Sequence, residues 1–219
     1  MDITSFILKE FPPLTLESKV SDVKSFFSSN EYSHFPIVKN NLLIGLISRT
    51  DILSIDEDDK EIGYFQYLFS LFLTEEINNV LDLIKVFASN EANLIPVVNS
   101  SKKYIGYFDL IDILHIYNET PFLNEEGVVL RLEKEITDFS FSQVCQIIES
   151  NSGKVLGIFI SEKNATTVKI IIKFTSQDVN EIIQAFRRYE YTILSNHEED
   201  YYLEDLKERS EYLQKYLNI

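Results

Sequence analysis

One motif occurs twice in this chain, and that repeat limits the folds open to it more than any other feature. Ser29-Asn30-Glu31-Tyr32-Ser33-His34-Phe35-Pro36-Ile37-Val38 returns as Ser89-Asn90-Glu91-Ala92-Asn93-Leu94-Ile95-Pro96-Val97-Val98. A second matched block follows each copy. Leu43-Ile44-Gly45-Leu46-Ile47-Ser48-Arg49-Thr50-Asp51-Ile52-Leu53 pairs with Tyr104-Ile105-Gly106-Tyr107-Phe108-Asp109-Leu110-Ile111-Asp112-Ile113-Leu114. The offset grows by one residue between the blocks, so the second loop is one residue longer. Two like units in tandem predict a pseudo-symmetric pair with a shared cleft, because neighbouring repeats bury one core together. Such an arrangement suits a sensor or adaptor before it suits an enzyme.

Each repeat reads as a small α/β element. In the first, Val20, Val23, Phe26 and Phe27 follow helical spacing, with Ser18 or Ser21 as the expected cap. A strand follows at residues 35–38, with Pro36 expected at its start or edge because proline donates no ladder hydrogen bond. Asn40-Asn41 is a turn, residues 43–47 a second strand, and residues 50–55 a second helix. The second repeat runs in the same order through a helix at residues 81–87, strands at 95–98 and 104–108, and a helix at 111–117. Neither repeat buries enough surface alone, so the two must pack side by side. Gly45 and Gly106 hold matched strand positions and mark either tight packing or a ligand-facing surface. Asp51 and Asp112 stand where strand gives way to helix. There a carboxylate either complements the helix dipole or accepts hydrogen bonds from a sugar's two hydroxyls. Ser48, three residues before Asp51, has a hydroxyl suited to phosphate; in the second repeat Asp109 takes that place and would repel it. If one half-site binds a phosphate, it is the one with Ser48.

These blocks resemble the CBS domain in its usual tandem form. The resemblance rests on Phe35, Pro36, Ile37, Gly45, Ser48 and Asp51 in the first unit. In the second it rests on residues 94–97, Gly106 and Asp112, with Asp109 departing from the pattern. It covers about half the chain. It implies a Bateman module, one that often pairs with another such module and often binds AMP, ADP, ATP or S-adenosylmethionine in its cleft. Ser48 then inherits a phosphate contact and Asp51 a ribose contact, with Asp112 as its counterpart. Thr15, and the segment of His34, Phe35 and Pro36, fall where the adenine would be held. His34 is either a stacking or hydrogen-bonding group in the cleft or an ordinary surface histidine.

Between the units, residues 56–61 form a solvated charge run, and residues 62–73 read as an aromatic helix, apolar on most of its surface, for a core or a dimer seam. Beyond Pro121 and Gly127 the pattern changes. Residues 127–196 read as β-α-β-β-α-β, a split-βαβ or ferredoxin-like sandwich, with Ser140 or Ser142 capping its first helix and residues 168–174 as a central strand. That order resembles the ACT domain, used either for dimerisation and structure or for amino-acid sensing. Its first strand–helix loop, residues 135–140, lacks the glycine of ligand-binding members. Residues 199–219 read as a terminal helix with a stripe of Leu203, Leu206, Leu213 and Leu217 that wants a partner. The expected organisation is an α/β (α+β) chain. It has a CBS pair over 1–118 (units at about 1–58 and 74–118), the ACT-like domain, and the helix. As a whole it resembles the bacterial AcuB-type proteins associated with acetoin utilisation.

The formal net charge of −15 repels phosphate backbones, so nucleic acid is not an expected partner. A single cysteine, Cys145, forms no intrachain disulfide and fits a reducing cytoplasm. No segment is long and apolar enough to read as a membrane span, and the start of the chain does not read as a secretory signal. His34, His115 and His197 have no metal-ligand spacing, and no glycine-rich phosphate loop or nucleophile elbow is present. The expectation is a non-catalytic, homodimeric regulatory protein of the cytoplasm, with an adenosyl ligand or with none.

Overall fold

In the computed structural model, residues 3–75 and 79–195 are described, together with Tyr212. The chain divides into two compact units, Met1–Asn118 and Glu119–Ile219. The expected terminal helix at 199–219 and its leucine stripe lie outside the described residues, apart from Tyr212.

In the first unit, α1 (Val20–Ser29) forms because Val20, Val23 and Phe27 recur on one face and are buried there. Its N-cap is Lys19, with no side-chain cap bond. Ser18 Oγ instead accepts the Thr15 N–H at 3.0 Å, so neither serine caps the helix. The hairpin β1 (His34–Lys39) and β2 (Leu42–Ser48) turns at Asn40 and Asn41. Both asparagines have positive φ, 52° and 65°, as a tight hairpin turn requires. α2 (Arg49–Leu53) closes the repeat. The second repeat follows as β3 (Thr74–Glu75), α3 (Val80–Ser89), β4 (Leu94–Val98), β5 (Tyr104–Asp109) and α4 (Leu110–Asn118). The hairpins match even in their irregularity, with a register shift at Ile37/Val38 and another at Val97/Val98.

The repeats exchange their leading segments. Residue Leu8 bridges Tyr107 of the second hairpin, and Leu14 then runs parallel to Ile37 of the first. Ser70 bridges Leu46 of the first hairpin, and Thr74 then runs parallel to Val97 of the second. Each segment thus touches the other repeat before its own. This crossing explains the two matched glycines. A Cβ on Gly106 would stand 2.4 Å from the Leu8 carbonyl oxygen, and its φ of +145° is one that side chains rarely adopt. A Cβ on Gly45 would stand 3.0 Å from Phe69 Cβ and 3.1 Å from the Ser70 carbonyl oxygen. Both positions are close chain approaches.

The aromatic insert departs from expectation. Residues 62–68 form a 3₁₀ segment (Ile62–Leu68) kinked at Phe65, and only Ile62 and Phe65 are buried. Tyr64, Tyr67 and Leu71 are exposed. The reason is the strand-like crossing at Ser70, which needs extended backbone where a continuous helix would have run. Two buried clusters result. One forms around Phe27, Phe35, Leu46, Ile62 and Tyr107, the other around Ile3, Leu83, Phe87, Val97 and Phe108.

The second unit opens with α5 (Pro121–Asn124) and continues as β6 (Val128–Glu135), α6 (Phe141–Ser150), β7 (Lys154–Lys163), β8 (Thr167–Thr175), α7 (Val179–Arg188) and β9 (Thr192–Ile193). The sheet order β7-β8-β6-β9 is that of a split βαβ sandwich, and β8 is central in it. Val168, Ile170, Ile172 and Phe174 point inward from β8 onto α6 and α7, while the residues between them face away. Ser140 occupies the N-cap of α6 without a cap bond, because its hydroxyl pairs with that of Ser142 at 2.6 Å. Asp178 caps α7 by accepting the Glu181 N–H at 2.9 Å.

Candidate functional site

The two repeats of the first unit meet through matched residues. Ser33 and Asn93 hold equivalent positions and clasp each other. Ser33 N–H donates to Asn93 Oδ1 at 2.8 Å, Asn93 N–H donates to Ser33 Oγ at 3.0 Å, and Asn93 Nδ2 reaches the Glu31 carbonyl at 2.8 Å. Their own carbonyls accept from the equivalent Arg49 and Leu110 N–H groups, at 2.7 and 3.0 Å. Beside this clasp lies a cavity of about 450 Å³ lined by residues 31–34, 48–50 and 90–91, so both repeats contribute to its wall.

Of the residues expected to form a site, His34 and Ser48 line this cavity. Ser48 is the N-cap of α2. Its hydroxyl accepts the Asp51 N–H at 2.9 Å and donates to Asp51 Oδ2 at 2.6 Å, so serine and aspartate satisfy each other. The Asp51 carboxylate therefore stands one hydrogen bond behind the cavity wall. His34 is half-buried, its Nδ1 3.0 Å from Ser33 Oγ and its ring edge-on to Phe72 at 5.3 Å. Burial lowers its pKa, and the Asp51 charge opposes that shift. Phe35 and Pro36 are buried under the hairpin and do not line the cavity. The Pro36 carbonyl is taken by the Leu14 N–H at 2.9 Å. Thr15 is exposed in the turn before α1, also away from the cavity.

Arg49 supplies the cavity wall but not a free cation. Its guanidinium donates to the carbonyls of Phe27 and Asn30, at the C-terminal end of α1. Glu31 and Glu91 are also in the lining, so the rim offers hydroxyls, an imidazole and carboxylates.

The pseudo-equivalent half-site is built differently. Asp109 Oδ1 accepts the Ile111 N–H at 2.7 Å, which is the competition for helix N–H groups that its carboxylate implies. The phenol of Tyr32 crosses toward the second repeat and meets Tyr107 oxygen to oxygen at 3.2 Å. Burial raises the Tyr32 pKa; its bond to Tyr107 works against that, and the charges of Asp109, Glu10 and Asp112 add to it. Asp112 does not line the cavity. Phe11, Phe26 and Phe35 surround the Tyr32 ring at 6.2, 6.2 and 5.8 Å. At the equivalent positions the repeat has Ala92 for Tyr32 and Leu46 for Tyr107. An aromatic cluster therefore packs around Tyr32, which also lines the cavity. The clasp and the tyrosine pair were both readable as positions in the repeat, but their contact needed the crossing of the chain.

A wider hollow of about 790 Å³ lies in the second unit, between the end of α6 and the start of α7. It is lined by hydroxyls and amides with Asp178 and Glu181, and by no aromatic or cationic group. The inter-repeat cavity has the richer chemistry. Among the described residues no group of three or more His, Cys, Asp or Glu is arranged to hold a metal ion. Among them, too, no helix is long and apolar enough to cross a membrane.

Residues 3–58 match the CBS domain family model. An uncharacterized protein of Methanocaldococcus jannaschii is 24% identical over 146 residues, covering 62% of this chain and 55% of that protein. The chain thus spans about half the length of this curated relative. Among solved structures, a CBS domain pair/ACT domain protein from Thermotoga maritima is 19% identical, with a TM-score of 0.48 over 54% of this chain and 98% of the other. CBSX2 in complex with AMP is 17% identical, with a TM-score of 0.45 over 53% of this chain and 95% of the other. The family match at residues 3–58 and the repetition of that unit by α3, β4, β5 and α4 give Met1–Asn118 the fold of a CBS-domain pair.

Proposed function

We propose that this protein is a non-catalytic regulator whose first unit takes one adenosyl ligand, such as AMP, ADP, ATP or S-adenosylmethionine, in the Ser48 half-site. The observation that carries this reading is the cavity of about 450 Å³ walled by both repeats, with the Ser48–Asp51 pair at its edge. A volume of that order suits a small organic ligand. On binding, ribose hydroxyls replace the Ser48 hydroxyl as donors to the Asp51 carboxylate, and the freed Ser48 hydroxyl turns to the ligand. His34 offers a ring beside them. The ligand acts on the equilibrium between arrangements of the two repeats only as far as its affinities for them differ. The Glu31 and Glu91 carboxylates favour a ligand with little net negative charge, so S-adenosylmethionine and AMP rank ahead of ATP.

The test is thermal stability with AMP, ADP, ATP and S-adenosylmethionine, on the wild type and on Asp51→Ala. A ligand that binds only the folded state raises its stability. The reading expects a rise in the wild type that Asp51→Ala abolishes. A rise of equal size in both proteins overturns it.

A second reading, a structural or protein-interaction module without a nucleotide, is favoured by one observation. Ser48 and Asp51 already satisfy each other, and Thr15, Phe35 and Pro36 lie away from the cavity. No stabilisation by any of the four compounds selects it. Homodimerisation, a cytoplasmic setting and an accessory role in acetoin utilisation remain part of the proposal on the sequence resemblance alone.

A further inference from the structure

A second cavity, of about 380 Å³, lies where residues 9–13 arch over the start of β5. It shares no lining residue with the inter-repeat cavity. Phe11, Pro12 and Pro13 give it apolar walls, and Gly106 adds no side chain to its floor. A Cβ at Gly106 would lie 3.3 Å from Lys9 Cγ, so the missing side chain keeps room beside the lysine stem. Two polar side chains line it, Lys9 and Tyr104, and no carboxylate does. Lys9 makes no ion pair among the described residues. The Tyr104 hydroxyl is buried and has no hydrogen-bond partner. Burial raises its pKa, so it stays a protonated donor. A buried hydroxyl left unpaired costs about 1–3 kcal/mol, and a bound acceptor offsets that cost.

We infer that this cavity binds a small planar organic carboxylate, its anionic end toward Lys9 and Tyr104 and its apolar body against Phe11 and the two prolines. One lysine and no carboxylate in the lining balance a single negative charge, so the cavity suits a monoanion better than a dianion. The Tyr104 hydroxyl is closed to solvent, so a ligand reaches it only as the surrounding chain eases away. The 9–13 arch runs between Leu8, bridged to Tyr107, and Leu14, bridged to Ile37, so occupancy bears on the segment that ties the repeats together.

The experiment is calorimetric titration of the full chain with benzoate and with benzamide, its neutral isostere. Benzoate is expected to saturate, and benzamide to bind about tenfold more weakly. Lys9→Gln should weaken benzoate by about tenfold and leave benzamide unchanged, while Tyr104→Phe should weaken both. Benzoate binding should survive Asp51→Ala, which separates this site from the proposed nucleotide cleft. Equal affinity for the two probes overturns the inference, as does no saturation by benzoate at about 10 mM. So does a Tyr104→Phe protein that is more stable yet binds benzoate unchanged, because its hydroxyl then only met trapped water.

Discussion

Single side chains in this protein are set by what surrounds them more than by their own type. His34 is the clearest case. Its folded pKa is lowered by burial from an ordinary value near 6.5. As pH falls through that ordinary value, the unfolded chain takes up the proton first, so stability falls with pH until the folded-state pKa is passed. Denaturation midpoints measured from pH 8 to pH 5 should therefore fall more in the wild type than in His34→Asn; parallel profiles would refute this. Lys134 is a second case. Its side chain is 7% exposed, and its ammonium donates to the Tyr189 carbonyl at 2.7 Å and lies 5.2 Å over the Tyr191 ring. Glu190, with a positive φ of 61°, carries its carboxylate 3.5 Å away. Lys134→Met keeps the stem but removes the donor at the end of α7, and should destabilise the second unit by about 1–3 kcal/mol in chemical denaturation. The sequence leaves His34 open between a cleft group and a surface histidine, and Lys134 looks like a surface lysine until the fold closes over it.

At the scale of elements, the repeat made most of the first unit legible. Helical spacing at Val20, Val23 and Phe27 and the turn at Asn40-Asn41 are local signals, and local signals survive folding. The insert departs from the helix that its aromatic content predicts because the chain needs an extended crossing at Ser70. Ser140 holds the expected N-cap of α6 but spends its hydroxyl on Ser142, whereas α1 is capped at Lys19 and Ser18 bonds Thr15 instead. The crossings themselves lead to a prediction about the matched glycines. Gly106→Ala places a Cβ 2.4 Å from a backbone oxygen at a φ of +145°, whereas Gly45→Ala meets a 3.0 Å contact. Gly106→Ala should lower stability by about 1–3 kcal/mol or more and Gly45→Ala by less. Urea midpoints of the two variants would check the order, and a reversed order would contradict the crossing.

For the whole molecule, each compact unit has its own buried clusters. Phe27, Leu46 and Phe108 belong to the first, and Leu132, Ile172 and Phe186 to the second. A fragment ending at Asn118 should therefore unfold cooperatively on its own, as followed by circular dichroism; a gradual, non-cooperative loss of signal would show that it depends on the rest of the chain. The sequence by itself determined the pairing of two α/β repeats, the order of elements in the second unit, and the non-equivalence of Ser48 and Asp109. Those properties are written in spacing and in single substitutions between copies. Only the tertiary structure decided which of these residues meet around a cavity. Folding brings Tyr32 against Tyr107 and Phe11 against Phe26, and sets His34 and Ser48 around a cavity that Tyr32 also lines. The physical reason is distance along the chain: residues 75 positions apart share a contact, and no local pattern encodes it.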